Sequence, residues 1–362
     1  MMRSVLNKFL LAIALVFSSL ASVQAQEHGH EGEAPHKKEG FNVGDMIMHH
    51  IKDEHGWELA HGLTIPLPVI LYSDDRGLEV FSSSRLAHDA VYNGYKQEHG
   101  KIHRVNEAGD VEEGVKLYDF SITKNTASLL LSAVIMLLLF TTVSRGYAKN
   151  KGKAPKGIQS LLEPIILFVR DDIAKPSIGH HYGRYLPYLL TLFFFILINN
   201  LLGLLPGAAN LTGNIAVTLS LAVLTFLIVT FSGNKNYWMH IISPPGVPWF
   251  VLPIMIPVEI VGVFMKPISL TVRLFANITA GHIIILSLLG LIFMANSLAG
   301  ASTSVAISPV VMFFTLFLNC IELIVAFLQA FIFTLLTAMY IGTAVEEHHH
   351  HDEAHGTVSE LG

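Results

Sequence analysis

Charge and cysteine are what this sequence has least of. Only 14% of its 362 residues are Asp, Glu, Lys or Arg, while 52% are hydrophobic. So little charge cannot coat a soluble domain of this size, and the apolar residues gather in runs long enough to cross a bilayer. The single cysteine, Cys320, lies in one of those runs, which excludes an internal disulfide and a thiolate metal site. A phosphate-binding P-loop is missing too, so no nucleotide chemistry and no cofactor are expected of the chain. The net charge is -5, with the acidic excess in the two polar ends, which gives nucleic acid nothing to bind. What remains is an all-α polytopic membrane protein of about five membrane helices with a small N-terminal extramembrane module.

The first 25 residues have a basic start (Arg3, Lys8), an apolar stretch from Phe9 to Leu20 and a small-residue end at Val23-Gln24-Ala25. That is the pattern of a secretory signal peptide, 1–25, and the apolar stretch is short of the ~20 residues a span needs. Residues 26–118 read as a polar, His-rich module in the outer (periplasmic) compartment. Up to Gly40 its composition suits disorder, and beyond that "LEVFSSSRL" and "HGKIHRV" alternate like short strands. The membrane domain, 119–345, opens with a span over Leu129 to Val143. It is followed by Arg145, Lys149, Lys151, Lys153 and Lys156, a cluster that marks the cytoplasmic side and leaves the module outside. Residues 157–182 carry Glu163, Arg170, Asp171, Asp172 and Lys175 among apolar residues and suit a surface-lying amphipathic segment. Spans follow at about 185–205 and 214–231.

Two very long helical patterns come next, about 249–297, with Pro253, Pro257 and Pro267 interrupting it, and about 305–344. A forty-residue helix is about 60 Å long, twice the ~30 Å hydrocarbon layer, so both must tilt strongly. "NSLAGASTS" joins them as an antiparallel hairpin. The end, 346–362, is a His/acid tail expected in the cytoplasm, so the whole chain is placed in a bacterial inner membrane.

The hairpin holds Glu259, Lys266, Arg273, His282 and Glu322, with the amides Asn277, Asn319 and Gln329. Charge inside a span costs ~2.5 to 3.5 kcal/mol for a central Arg, which makes each a candidate functional residue. At about 100° per residue, Glu259, Lys266 and Arg273, seven apart, share one face, with Asn277 one turn along it. His282 falls on the opposite face. On the second helix Glu322 and Gln329 share a face, with Asn319 one turn away. Opposed residues of an antiparallel pair have a constant index sum, which is 602 for Arg273 with Gln329 and 604 for His282 with Glu322. Two polar layers follow, Arg/Gln deeper and His/Glu nearer the outside. Glu and His can exchange protons with trapped water, whereas arginine keeps its proton and can only hold a carboxylate ionised or block passage. Lys266 also has a plain reading as a residue snorkelling to the interface, and Asn319 as a packing amide.

At these residues the chain resembles the a subunit of the F-type ATP synthase. "KPISLTVRLFANITAGH" resembles that family's arginine-bearing helix, "ELIVAFLQAFIFTLLTAMYI" its final helix and "NNLLGLLPG" the end of an earlier span. The resemblance covers about 118–345. It implies that Arg273 faces a rotor ring of c subunits, that Asn277 and Gln329 are its polar neighbours, and that Glu259 lines the inner half-channel. It also implies that His282 and Glu322 hold the outer half-channel, in the order opposite to that of some bacterial relatives. The implied partners are the c-ring, b-type peripheral stalk subunits, the catalytic head and the lipid bilayer. Gly203 stands where relatives often have an acid, so no proton role is read there. The same fold could carry sodium, because the ring has a large part in ion choice. A different reading comes from the 19 histidines, clustered in "EHGHEGEAPH" and "EEHHHHDEAH": a His-rich metal-ion transporter. The spans, however, lack a paired His/Asp ligand set, and a fixed guanidinium repels a cation.

Overall fold

A computed structural model describes Gly44 and residues 52–60, 63–98, 100–106, 111–112, 116–149, 154–205, 209–242 and 248–346. The expected signal peptide, the stretch up to Gly40 and the His/acid tail from 347 lie outside these residues.

The N-terminal module is built of short strands, β1 (Gly56–Ala60), β2 (Leu63–Pro66), β3 (Pro68–Ser73), β4 (Gly77–Ser82), β5 (Tyr95–Glu98), β6 (Lys101–Arg104) and β7 (Leu117–Asp119). β1 pairs with β2 and β5 with β6, while β4, β3 and β7 form a three-stranded antiparallel sheet in that order. Alternation sends Val69 and Leu71 of β3 inward, where they meet Leu86, Tyr95 and Ile102 in a small core. Phe81, Tyr92 and Leu117 pack against this core, and the module is also anchored to the helix that follows. Pairing continues past β7, with the N–H of Phe120 donating to the carbonyl of Ile70 (2.9 Å) and that of Ile122 to Pro68 (3.1 Å).

The strand then runs straight into α1 (Lys124–Lys149). Its first turn is capped from the module: the N–H of Asn125 donates to the Asp53 carboxyl (3.0 Å) and that of Lys124 to the Glu54 carbonyl (2.9 Å). An acid at a helix N-terminus faces unpaired N–H groups and the positive end of the dipole. Burial pushes the Asp53 carboxyl above its ordinary value even so. Nearby, burial also works against ionised Asp119, but the hydrogen bond from His55 (2.9 Å) and those from Ser121 outweigh it and leave its pKa lowered.

α2 (Ile158–Phe168), a π turn (Val169–Ala174) and the short α3 (Lys175–Ile178) lead into α4 (Tyr182–Gly203). Then come α5 (Ile215–Ser232), α6 (Lys235–Ile242), α7 (Leu252–Ala299) and α8 (Ala301–Val345). Five elements are long and apolar enough to span: Lys124–Lys149, Ile158–Gly203, Ile215–Ser232, Leu252–Ala299 and Ala301–Val345. The segment expected to lie on the surface is thus helical and packed on the bundle, with Leu162, Val169, Ile173 and Ala174 buried. Most of its charges sort to the other side, where Asp171 bridges Arg170 (2.7 Å) and Lys175 (2.5 Å), whereas Glu163 keeps one oxygen buried.

The core centres on α4. Leu189, Phe193, Phe194 and Ile196 are buried, and Phe193 and Phe194 pack edge-on against Phe327 and Phe140. α8 meets this surface with Ala326, Ala330, Thr334, Ala338 and Gly342, all buried and spaced by four. Without a hydrophobic force between helices in lipid, such a small-residue stripe lets backbones approach until van der Waals contact and hydrogen bonds hold them. At Gly342 the stripe meets α3, whose Ser177 carbonyl takes the space a Cβ would fill.

α7 has 48 residues and α8 has 45. The expected proline interruptions are absent: α7 starts at Leu252 with Pro253 in its first turn, where no N–H is needed, and runs unbroken through Pro257 and Pro267. In a membrane helix, neighbouring helices and hydroxyl side chains take up the groups a proline frees. The hairpin turn is a single residue, Gly300, with φ +82°, a conformation that favours glycine.

Candidate functional site

The hairpin register follows from one contact. A Cβ on Gly281 would stand 3.1 Å from Oε1 of Glu322, so these two residues, with an index sum of 603, face each other across α7 and α8. Glu322 is buried, and His282, next to Gly281, is half-buried. The glycine matters here because any side chain in its place would press on the carboxylate. Seven residues on, and so on the same face of α8, Gln329 is buried.

Arg273 is half-buried on α7 and Asn277, one turn along, is exposed. Among the described residues no carboxylate comes within 4 Å of the Arg273 guanidinium, although ion pairs form elsewhere. A guanidinium keeps its charge at any usable pH, so this is a fixed cation with no counter-ion among the described residues. Glu259, two heptads earlier, is half-buried.

The remaining two candidates are placed differently. Lys266 is held between two rings, its Nζ 5.1 Å from the centroid of Tyr340 and 5.7 Å from that of Tyr237, which ties α6, α7 and α8 together. That is a cation–π clamp inside the bundle rather than a snorkelling contact with the interface. Asn319 turns its Nδ2 back to the Thr315 carbonyl of its own helix (2.9 Å).

Several polar residues escaped the charge-based reading. Asn200 is buried, donates to the Ala326 carbonyl (3.1 Å) and accepts from Thr212 (2.7 Å), so one amide holds α4, α8 and the 211–213 loop. The Tyr188 hydroxyl bonds that of Thr225 (2.8 Å), joining α4 to α5. Asn234 donates from its backbone N–H to Ala344 (2.9 Å) and from Nδ2 to Val345 (3.0 Å), capping the last carbonyls of α8. Thr315, seven residues before Glu322, is buried with its hydroxyl unpartnered by protein, unlike Thr191, Thr225 and Thr271, which bond back to their own helices. The signal for these was a polar residue inside an apolar run, but an amide or hydroxyl carries no charge to make it stand out.

Comparison with known proteins adds a family. The profile described as "ATP synthase A chain" matches residues 126–342, and one described as a domain of unknown function matches residues 46–120. The ATP synthase subunit a of Chloroherpeton thalassium is 48% identical over 245 residues, covering 66% of this chain and 71% of that protein. ATP synthase subunit a 2 of Chlorobium luteolum is 39% identical over 340 residues, 92% of this chain and 82% of the relative. That of Chlorobium phaeobacteroides strain BS1 is 39% identical over 368 residues, 96% of this chain and 94% of the relative. The likeness to the last two runs through the N-terminal module as well as the helices, and the chain belongs to the ATP synthase A chain family, the a subunits of the F-type membrane sector.

Proposed function

We propose that this chain is the proton-conducting stator subunit of an F-type ATP synthase in a bacterial inner membrane. It makes no ATP itself. In this reading its α7 faces a c-ring, and b-type stalk subunits hold it against the catalytic head. The observation that carries the reading is the fixed cation Arg273, with no carboxylate in ion-pair reach among the described residues, on a helix whose neighbour presents buried Glu322.

A proton enters from the outer side past His282 and Glu322 and neutralises a carboxylate carried by the ring. Turning the ring takes that carboxylate around to the other side of Arg273. There the proton is given up to the cytoplasm along the face that holds Glu259. Arg273 cannot relay the proton, so it prevents a direct leak and attracts each carboxylate as it ionises. Asn277 and Gln329 are its polar neighbours, and the Thr315 hydroxyl suits a bound water on the way to Glu322. Lys266 and Asn319 act on the framework. A field of 100 mV is worth ~2.3 kcal/mol per charge, so several protons drive each ATP. In this orientation the N-terminal module is periplasmic and the C-terminus cytoplasmic.

The test is proton pumping and ATP synthesis by the complete complex in membrane vesicles, with Arg273→Ala and Glu322→Gln. Both are expected to lose coupling with normal assembly. Wild-type coupling in Arg273→Ala would sink the reading.

A further inference from the structure

The three-stranded sheet of the outer module has an apolar outward face as well as apolar residues packed inward. An extramembrane antiparallel sheet ordinarily packs one face on a core and turns a polar face to water. Here the inward face carries Val69 and Leu71, already covered by the small core. On the outward face the register sets Tyr72 between Leu78 and Tyr118, and Ile70 between Val80 and Phe120. Leu78 and Val80 are 64% and 62% exposed, Phe120 is 58% exposed, and these two rows contain no charge. The charged residues of the β3–β4 turn, Asp74, Asp75 and Arg76, sit at the end of the sheet away from α1.

We infer that this face rests on the lipid headgroup region of the leaflet from which α1 starts. Three features select lipid. Phe120 is four residues before the first residue of α1, so the extended chain puts it within about 14 Å of the helix start. The module has no slack against that helix, because Asp53 and Glu54 cap its first turn and the N–H of Ile70 donates to the Ser121 hydroxyl (3.0 Å). Finally, three strands ~4.8 Å apart and two to three rows of side chains cover roughly 300 Å². A stable protein partner needs about 800 Å² from each side, whereas a face already tethered by a span needs only shallow contact. Tyr72 and Tyr118, whose rings are 6.3 Å apart, have the apolar body and polar tip found at membrane interfaces.

The test uses the complete complex and, in parallel, the isolated full chain, in nanodiscs of phosphatidylethanolamine and phosphatidylglycerol. The cysteine at 320 is first replaced by Ser, and single nitroxides are attached through Leu78→Cys, Val80→Cys or, as an aqueous control, Lys101→Cys. Both sheet sites are exposed, so the labels do not disturb the core. Oxygen, which partitions into lipid, is expected to reach labels at 78 and 80 more readily than a water-soluble nickel chelate in both preparations, with the reverse at 101. Nickel access at 78 and 80 equal to that at 101 in the complex would overturn the inference. So would shielding from both reagents in the complex with free nickel access in the isolated chain, the mark of a protein partner.

Discussion

The apolar elements Ile158–Gly203 and Leu252–Ala299 are nearly equal in length and dissolve in the same solvent, yet they stand in opposite relations to the rest of the chain. Half of the most apolar stretch of the first is buried inside the molecule, against 11% for the second. α4 gives its aromatic surface to α1 and to the small-residue stripe of α8, so its partners are its own neighbours. α7 buries little beyond Leu270, Thr271, Leu274, Ile278 and Gly290, and still carries Glu259, Arg273 and Asn277. Lipid accepts an uncovered apolar helix at no cost, but not one bearing a guanidinium without a counter-ion. The contrast separates a framework half, packed within the chain, from a sparsely covered half that carries the proposed working residues.

The sharpest way to break that division is at Arg273. Arg273→Ala is expected to lower ATP synthesis by ~10² or more, the range for losing a charge-stabilising group, while the purified chain unfolds as before. An equal loss of thermal stability would make Arg273 part of the framework. Glu322→Gln should cost about as much or somewhat less, on the scale of removing a proton-transfer group, ~10²-fold. Exchanging His282 and Glu322 should retain more proton flux than either single Ala substitution if the two act as a pair, because the register, with Gly281 opposite Glu322, puts both positions at one level of the hairpin. The opposite ranking would remove the facing-pair idea.

Two glycines test the framework side directly. Gly342→Ala pushes a methyl into the Ser177 carbonyl and is expected to cost ~1–3 kcal/mol of stability. Gly262→Ala on α7 meets nothing within 4 Å and should leave the melting of the isolated chain unchanged. Similar melting shifts for both would erase the difference between the two halves.

A smaller effect is expected in the N-terminal module. The Asp119 carboxyl is held below its ordinary value, so its pairing contributes stability above the unfolded-state value, and that stability is lost as the pH falls through the folded one. Asp119→Asn should destabilise the module by about 1 kcal/mol at neutral pH and flatten its acid unfolding, followed by amide exchange. Asp53, raised by burial, works in the other direction and is untouched by that change. Removing residues 347–362 should have the least consequence, because the caps on α8 involve Ala344, Val345 and Glu346, all retained. A loss of coupling on truncation would give the tail a role.

Much of the hairpin was legible without coordinates. Seven-residue spacings put Glu322 and Gln329 on one face, and the index sum came within one of the Gly281–Glu322 contact. Lys266 was harder, since a lysine on a membrane helix reads as a snorkeller until Tyr237 and Tyr340, from two other helices, are seen to bracket it. The prolines of α7 misled because their local cost is real, while its relief comes from neighbouring helices.

Helix periodicity, span length and the cost of charge in lipid are local properties, so the sequence by itself determined the number of spans, the hairpin and the residues worth suspecting. Which stripe of α8 fits α4, that Asn234 closes the end of α8, and that the outer sheet keeps a second apolar face were decided only by tertiary structure. Each depends on groups far apart in the chain meeting at van der Waals or hydrogen-bond distance, and no local pattern encodes that meeting.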